Sequence, residues 1–139
     1  MVLFILVSFP LPLRWRYRLA MPWVRFAIWL VKHVLGITYR LIGAENIPPH
    51  AAIVFSKHQS AWETLALRVF LPPHSVVIKK ELLYFPIWGW SLLTLKSIVI
   101  NRKNQRASLK SLLEQGTHYL NEGLNVLIFP EGTRSGPGT

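Results

Sequence analysis

Four short runs rich in β-branched residues, "AAIVFS", "SVVIKK", "SIVIN" and "NVLIF", do most to limit what this chain can fold into. Each has the length of a strand, and each is almost continuously apolar instead of alternating. A strand that is apolar on both faces must be covered on both, which is the condition inside a mostly parallel sheet. Helical segments separate the runs: Ala61 to Phe70, a Trp-rich piece from Pro86 to Leu95, and "NQRASLKSLLEQGTHYLNEG". In the last of these Leu109, Leu112, Leu113 and Leu120 recur at helical spacing and Gly123 supplies the stop. The order predicts an α/β fold, a mostly parallel sheet flanked by helices. "ITYRLIG" reads as a further strand ended by Gly43, and "ENIPPH" as a Pro-rich loop. A chain of 139 residues holds about one domain, and it carries no internal repeat or low-complexity linker.

The segment before residue 37 has a different texture. "MVLFILVSFPLPL" is free of charge and "RWRYR" follows it. The uncharged run is short of the roughly 30 Å hydrocarbon core, and it lacks the basic leader and small-residue cleavage site of a secretory signal. In "PWVRFAIWLVKHVLG", Pro22 suits the opening of a helix and Gly36 its end. Arg25 and Lys32 lie seven apart on one face, while Phe26, Ile28, Trp29, Leu30 and Val31 cover much of the rest. Trp15, Tyr17, Trp23 and Trp29 interleave with Arg14, Arg16, Arg18 and Arg25, a mixture suited to lipid headgroups. Residues 1–36 are therefore expected to form one or two helices in, or dipping into, a bilayer. The alternative is a helical hairpin that covers the core.

Charge points the same way. Half the residues are apolar (51%), yet 16 Lys and Arg face 6 Asp and Glu, a formal charge of +10. Hydrophobic and strongly basic together fit an anionic membrane surface better than a nucleic acid. Cysteine is absent, which removes disulfides, thiolate nucleophiles and Cys-ligated metals.

Two clusters offer chemistry. In "FSKHQSAWET", Glu63 follows His58 by five residues. Within one regular helix that offset is about 500°, so the side chains would point some 140° apart. They meet only if His58 lies in a loop and the helix begins near Ser60. Ser60-x-x-Glu63 is then a capping box, in which Glu63 serves the helix start. The same corner can also place the carboxylate against the imidazole, where it would fix the tautomer and stabilise the ring as it takes a proton. Both readings stand on the sequence. The second cluster is the pair "SIVINR" and "NVLIFPEGTRS", each with an arginine just past a strand, Arg102 and Arg134. Ligands of open α/β sheets collect at the carboxyl ends of strands. Two guanidiniums there suit a phosphate, with Gly132 allowing close backbone approach and Thr133 offering a hydroxyl. Alone, Arg102 reads as a solvated charge and "PEGTR" as a plain turn. His33, His50, His74 and His118 have no metal-site spacing, and neither a Gly-x-Ser-x-Gly elbow nor a phosphate-binding Gly-Lys-Ser/Thr loop is present.

Taken together, "KHQSAWE", a strand-end Arg and "FPEGTRS" resemble the glycerolipid acyltransferases, most closely the bacterial 1-acyl-sn-glycerol-3-phosphate (lysophosphatidic acid) acyltransferases. The similarity runs from about Gly36 onward and includes "GAENIP", "KKELL" and "GW". Departures are Glu63 where Asp is usual, Lys57 for a common Asn, Lys96 where a Gly commonly stands, and Asn101 for a frequent Asp. The family's fourth, Pro-containing motif and its C-terminal half do not follow, and "RSGPGT" comes a loop's length after a strand, so a fragment is expected. The resemblance implies an acyltransferase α/β domain over residues 37–139. It implies transfer of a fatty acyl group from acyl-CoA or acyl carrier protein to the 2-hydroxyl of 1-acyl-glycerol-3-phosphate, giving phosphatidic acid. In that reading His58 is the base and Glu63 orients it, while Arg102, Glu131, Gly132, Thr133 and Arg134 form the acceptor-phosphate region. No metal or cofactor is implied, and the expected place is the cytoplasmic face of a bacterial inner membrane, with lipid and not nucleic acid as partner. The rivals are a different lysolipid acceptor and a non-catalytic membrane-binding fragment.

Overall fold

The structure, a computed structural model, describes residues 7–86, 88–134 and 136, and the backbone alone for Trp88. The first residues of the N-terminal apolar run and Ser135 therefore lie outside the described residues. All four β-branched runs form strands: β1 (Ile53–Phe55), β2 (His74–Lys79), β3 (Ile98–Ile100) and β4 (Asn125–Ile128). They make one sheet in the order β1-β4-β2-β3, and every neighbouring pair is parallel. The central strands carry the most apolar burial, with Leu127 fully covered and Val126 nearly so. Helices alternate with them: α1 (Leu13–Leu35), α2 (Trp62–Phe70), α3 (Trp88–Thr94) and α4 (Gln105–Asn121). On the sheet, Val76, Ile78 and Leu127 form one core cluster with Leu67, Leu82, Leu92 and Phe129. A second joins Val24 and Ile28 of α1 to Ala66 of α2.

Two expectations about local structure are corrected. The helix does not open at Pro22. It starts after Pro12 and runs through Pro22 to Gly36, which closes it in the left-handed region at φ 66°. An interior proline costs roughly 3 kcal/mol. Buried residues on either side, Tyr17, Ala20, Val24 and Ile28, recur at helical spacing, and their burial outweighs that cost. Nor does "ITYRLIG" form a strand: residues 36–43 pair with no neighbour. Tyr39 packs tilted against Trp62 and Phe70, at ring separations of 5.6 and 4.9 Å, and Gly43 at φ 81° turns into a short 3₁₀ segment, Ala44–Asn46.

The N-terminal aromatic and basic residues divide by face. Trp15, Trp23, Phe26 and Trp29 are exposed, as are Arg18, Arg25 and Lys32. Tyr17 and Arg16 are not on that face. Tyr17 is buried with its hydroxyl on the backbone of His74, and Arg16 donates to the carbonyls of Phe9, Leu11 and Thr94. α1 thus covers the core with one stripe and presents an aromatic, basic surface with the other. Among the described residues no helix is long and apolar enough to cross a membrane.

Candidate active site

The chain leaves β1 at Phe55, and the Ser56 N–H still bonds to Ile128 O of β4 at 3.1 Å. This last ladder bond holds the start of the His58 loop beside the turn that follows β4. His58 then precedes α2 in irregular backbone, so its side chain is not bound by helical spacing. Its Nδ1 lies 2.7 Å from Glu63 Oε1. Glu63 also accepts from the N–H groups of Gln59 (2.8 Å) and Ser60 (2.8 Å) and from the Ser60 hydroxyl. Ser60 Oγ in turn accepts from Trp62 N at 3.1 Å. Glu63 therefore caps the helix start and holds the imidazole in the same conformation. The helix begins two residues after Ser60, with Ala61 as the boundary residue.

The electrostatics follow from this arrangement. Partial burial disfavours the Glu63 anion, but the hydrogen bonds from Ser60 and His58 outweigh it and hold the carboxyl down to about 2. An ionised Glu63 accepts only, so Nδ1 must donate and the ring's lone pair lies on Nε2. The ring also lies against Phe129, with centroids 4.5 Å apart. That contact limits rotation of the imidazole about its side-chain bonds. The pair remains within reach of solvent, with side-chain exposures of 21% for His58 and 16% for Glu63.

The second cluster meets the first at the same sheet edge. Glu131 Oε2 accepts from His58 N at 3.4 Å, a long bond that ties the two loops. Arg102, launched from the end of β3, donates through Nη2 to Gly132 O. β2 lies between β3 and β4, so Arg102 reaches past a whole strand to do this. Gly132 has φ 61°, a left-handed conformation that favours glycine, and a Cβ there would displace the Arg102 guanidinium from its place on the turn. Thr133 and Arg134 follow, both exposed, and neither side chain is brought onto another residue of the cluster. Sequence reasoning overlooked one residue here. Phe129, whose ring lies against His58, was visible only as the aromatic end of a strand. Among the described residues no group of His, Asp and Glu could hold a metal ion.

A family model described as "Acyltransferase" matches residues 38–139. The chain belongs to the acyltransferase family. Among relatives of the chain, the 1-acyl-sn-glycerol-3-phosphate acyltransferase of Pseudomonas aeruginosa is 52% identical over 125 residues, 89% of this chain and 49% of the relative. The human 1-acyl-sn-glycerol-3-phosphate acyltransferase alpha is 31% identical over 84% of this chain and 42% of its own length. The fold is that of the 1-acyl-sn-glycerophosphate (LPA) acyltransferase PlsC from Thermotoga maritima. That crystal structure matches 99% of this chain and 55% of its own with a TM-score of 0.72, at 24% identity. The chain spans about half the length, or less, of the curated relatives it matches.

Proposed function

We propose that this acyltransferase moves a fatty acyl group from acyl-CoA or acyl carrier protein to the 2-hydroxyl of 1-acyl-glycerol-3-phosphate, giving phosphatidic acid. The observation that carries the reading is the 2.7 Å contact between His58 Nδ1 and Glu63. It leaves Nε2 as the basic nitrogen of a ring that Glu63 orients. His58 Nε2 takes the proton from the acceptor hydroxyl as the oxygen attacks the thioester carbonyl. The C–S bond then breaks, and the imidazolium returns the proton to the departing thiolate. A hydroxyl is a poor nucleophile, and such base assistance contributes about a hundredfold or more. The thioester is already activated, so the scheme uses no metal or cofactor.

Arg102, held on the Gly132 turn, and Arg134 further along that turn supply the positive charge for the acceptor phosphate, and Thr133 supplies a hydroxyl. Glu131 braces the His58 loop. Residues 1–36 act as the membrane element and 37–139 as the catalytic domain, placed at the cytoplasmic face of a bacterial inner membrane where the lipid acceptor lies. The exposed face of α1 supports this part, because it joins Trp23, Phe26 and Trp29 to Arg25 and Lys32.

The test is release of free thiol from long-chain acyl-CoA in mixed micelles, with and without lysophosphatidate, for the native chain and His58→Ala. Acceptor-dependent release that the substitution abolishes is the expected result. Equal background release from both would refute catalysis by this chain.

A further inference from the structure

The corner at the start of α2 carries one hydrogen bond more than a helix cap requires. A capping box uses the serine oxygen as an acceptor for a helix N–H, and the glutamate as an acceptor for the serine N–H. Both are present. Trp62 N donates to Ser60 Oγ at 3.1 Å, and Ser60 N donates to Glu63 Oε1 and Oε2 at 2.8 and 3.0 Å. The extra bond runs from the Ser60 hydroxyl to Glu63 Oε2. Its direction follows from the chemistry: an ionised carboxylate has no proton to give, so the hydroxyl hydrogen lies on the Glu63 side and an Oγ lone pair on the Trp62 side. An aspartate at this position would cap a helix as well as serine does, but it could not donate.

The bond divides the carboxylate between two tasks. Ser60 holds Oε2 through both its N–H and its hydroxyl, while Oε1 receives His58 Nδ1 at 2.7 Å and Gln59 N at 2.8 Å. With Oε2 held, rotation of the carboxylate away from the ring breaks a charge-assisted bond. The charge is divided as well. Partial burial raises the Glu63 carboxyl, and among the influences that lower it the Ser60 hydroxyl comes first, ahead of the Ser60 N–H and of His58. Negative charge drawn toward a hydroxyl is charge withheld from an imidazolium.

We infer, on the proposed reading of His58 as the base, that Ser60 is a positioning residue for the transfer: its hydroxyl keeps Glu63 turned to the ring and, by sharing the carboxylate's charge, sets the pH below which His58 stops serving as base. Without the hydroxyl, Glu63 presents more negative charge to Nδ1, and the protonated ring persists to higher pH. A cap and nothing more predicts the opposite direction. Loosening the helix start would then carry Glu63 away from the ring, and the imidazolium would lose its counter-charge. Glu131, which accepts from His58 N, and Lys57, Arg102 and Arg134 also carry charge on the loops around the ring. They are common to every variant, so a shift between variants reads Ser60.

The experiment titrates the His58 imidazole by NMR in the native chain, Ser60→Ala and Ser60→Thr, and records kcat/KM for acceptor-dependent thiol release against pH. In Ser60→Ala the His58 midpoint should rise by about half a pH unit or more, and the acid limb of the rate profile should rise with it. Ser60→Thr keeps a hydroxyl and should return both to their native places. Ser60→Gly, which retains most of a helix cap, takes the place of the alanine variant should that one fail to fold. A midpoint that stays or falls when the hydroxyl is removed would overturn the inference, as would a rise that Ser60→Thr does not reverse. The titration needs no turnover. The expected shifts in a chain without acceptor-dependent release would support the hold of Ser60 on His58 and refute the transfer reading instead.

Discussion

Replacing Glu63 by Gln separates the two roles the carboxylate fills. The native anion accepts from Gln59 N, Ser60 N, Ser60 Oγ and His58 Nδ1, and no amide can accept all four with one oxygen. A carboxyl held at about 2 in the fold and ordinarily at 4.5 contributes up to about 3 kcal/mol to folding at neutral pH. Because the folded value is the lower one, that contribution is complete above pH 4.5 and fades as the pH falls toward 2. Glu63→Gln should therefore be about 2–3 kcal/mol less stable than the native chain to urea at pH 7, and the gap should narrow steadily below pH 4.5. The catalytic effect is separate. A Gln amide turned toward the ring donates, which moves the proton to Nε2 and removes the base. The loss in acceptor-dependent thiol release should fall between about a hundredfold and ten-thousandfold. Imidazole nitrogen shifts would report the tautomer directly. If His58 kept its lone pair on Nε2 and turnover were unchanged while stability fell, Glu63 would be a helix cap alone and the proposed base would have no orienting partner.

Gly132→Ala should raise KM for lysophosphatidate more than it lowers kcat, because the new Cβ displaces the Arg102 guanidinium; an unchanged KM would remove Arg102 from the acceptor site. Lys96 sits at φ 57°, in the region that disfavours side chains by about 1–2 kcal/mol. Its partners are Glu122 at 2.5 Å and the Tyr119 ring at 5.2 Å, both surface contacts that solvent screens. Lys96→Gly should thus change stability by less than about 1 kcal/mol, while Lys96→Ala, which keeps the strain and loses both contacts, should be clearly worse in urea. Burial, with the nearby Arg68 charge, pushes the His74 imidazole down to about 4. Stability should then fall as the pH drops from 6.5 toward 4, by up to about 3 kcal/mol, and His74→Asn should lose that slope. Arg25→Glu with Lys32→Glu should weaken sedimentation with anionic vesicles tenfold or more, at about 1 kcal/mol per basic residue; unchanged binding would count against α1 as the membrane element.

Much of the fold was legible because its signals are local. A continuous β-branched run such as "NVLIF" has few places to go except a doubly covered strand. α4 carries its stop in Gly123, and its start in Asn104, whose side chain accepts from Ala107 N at 3.1 Å. The capping box was legible for the same reason, since its atoms are three residues apart. What failed was local inference set against packing. Pro22 looks like a helix start, but buried residues on both sides keep the helix going through it. "ITYRLIG" has the composition of a strand, but no neighbouring edge receives it and Tyr39 finds Trp62 and Phe70 instead. Tyr17 and Arg16 belong by pattern to the aromatic, basic face, and long-range hydrogen bonds take both away from it.

The sequence by itself determined the element types, the acyltransferase motifs and the corner in which Ser60 and Glu63 meet, because each depends on residues within about two turns of one another. Only the tertiary structure decided that β4 inserts between β1 and β2, which brings the Glu131 turn against the His58 loop and makes Arg102 reach across a strand to Gly132. It alone decided that Arg68 of α2 is buried, with Nη1 on the Tyr17 hydroxyl of α1 and the His74 carbonyl of β2. Strand order and side-chain burial depend on which apolar faces cover one another across the whole chain, and that is a sum over distant contacts that no short window of sequence contains.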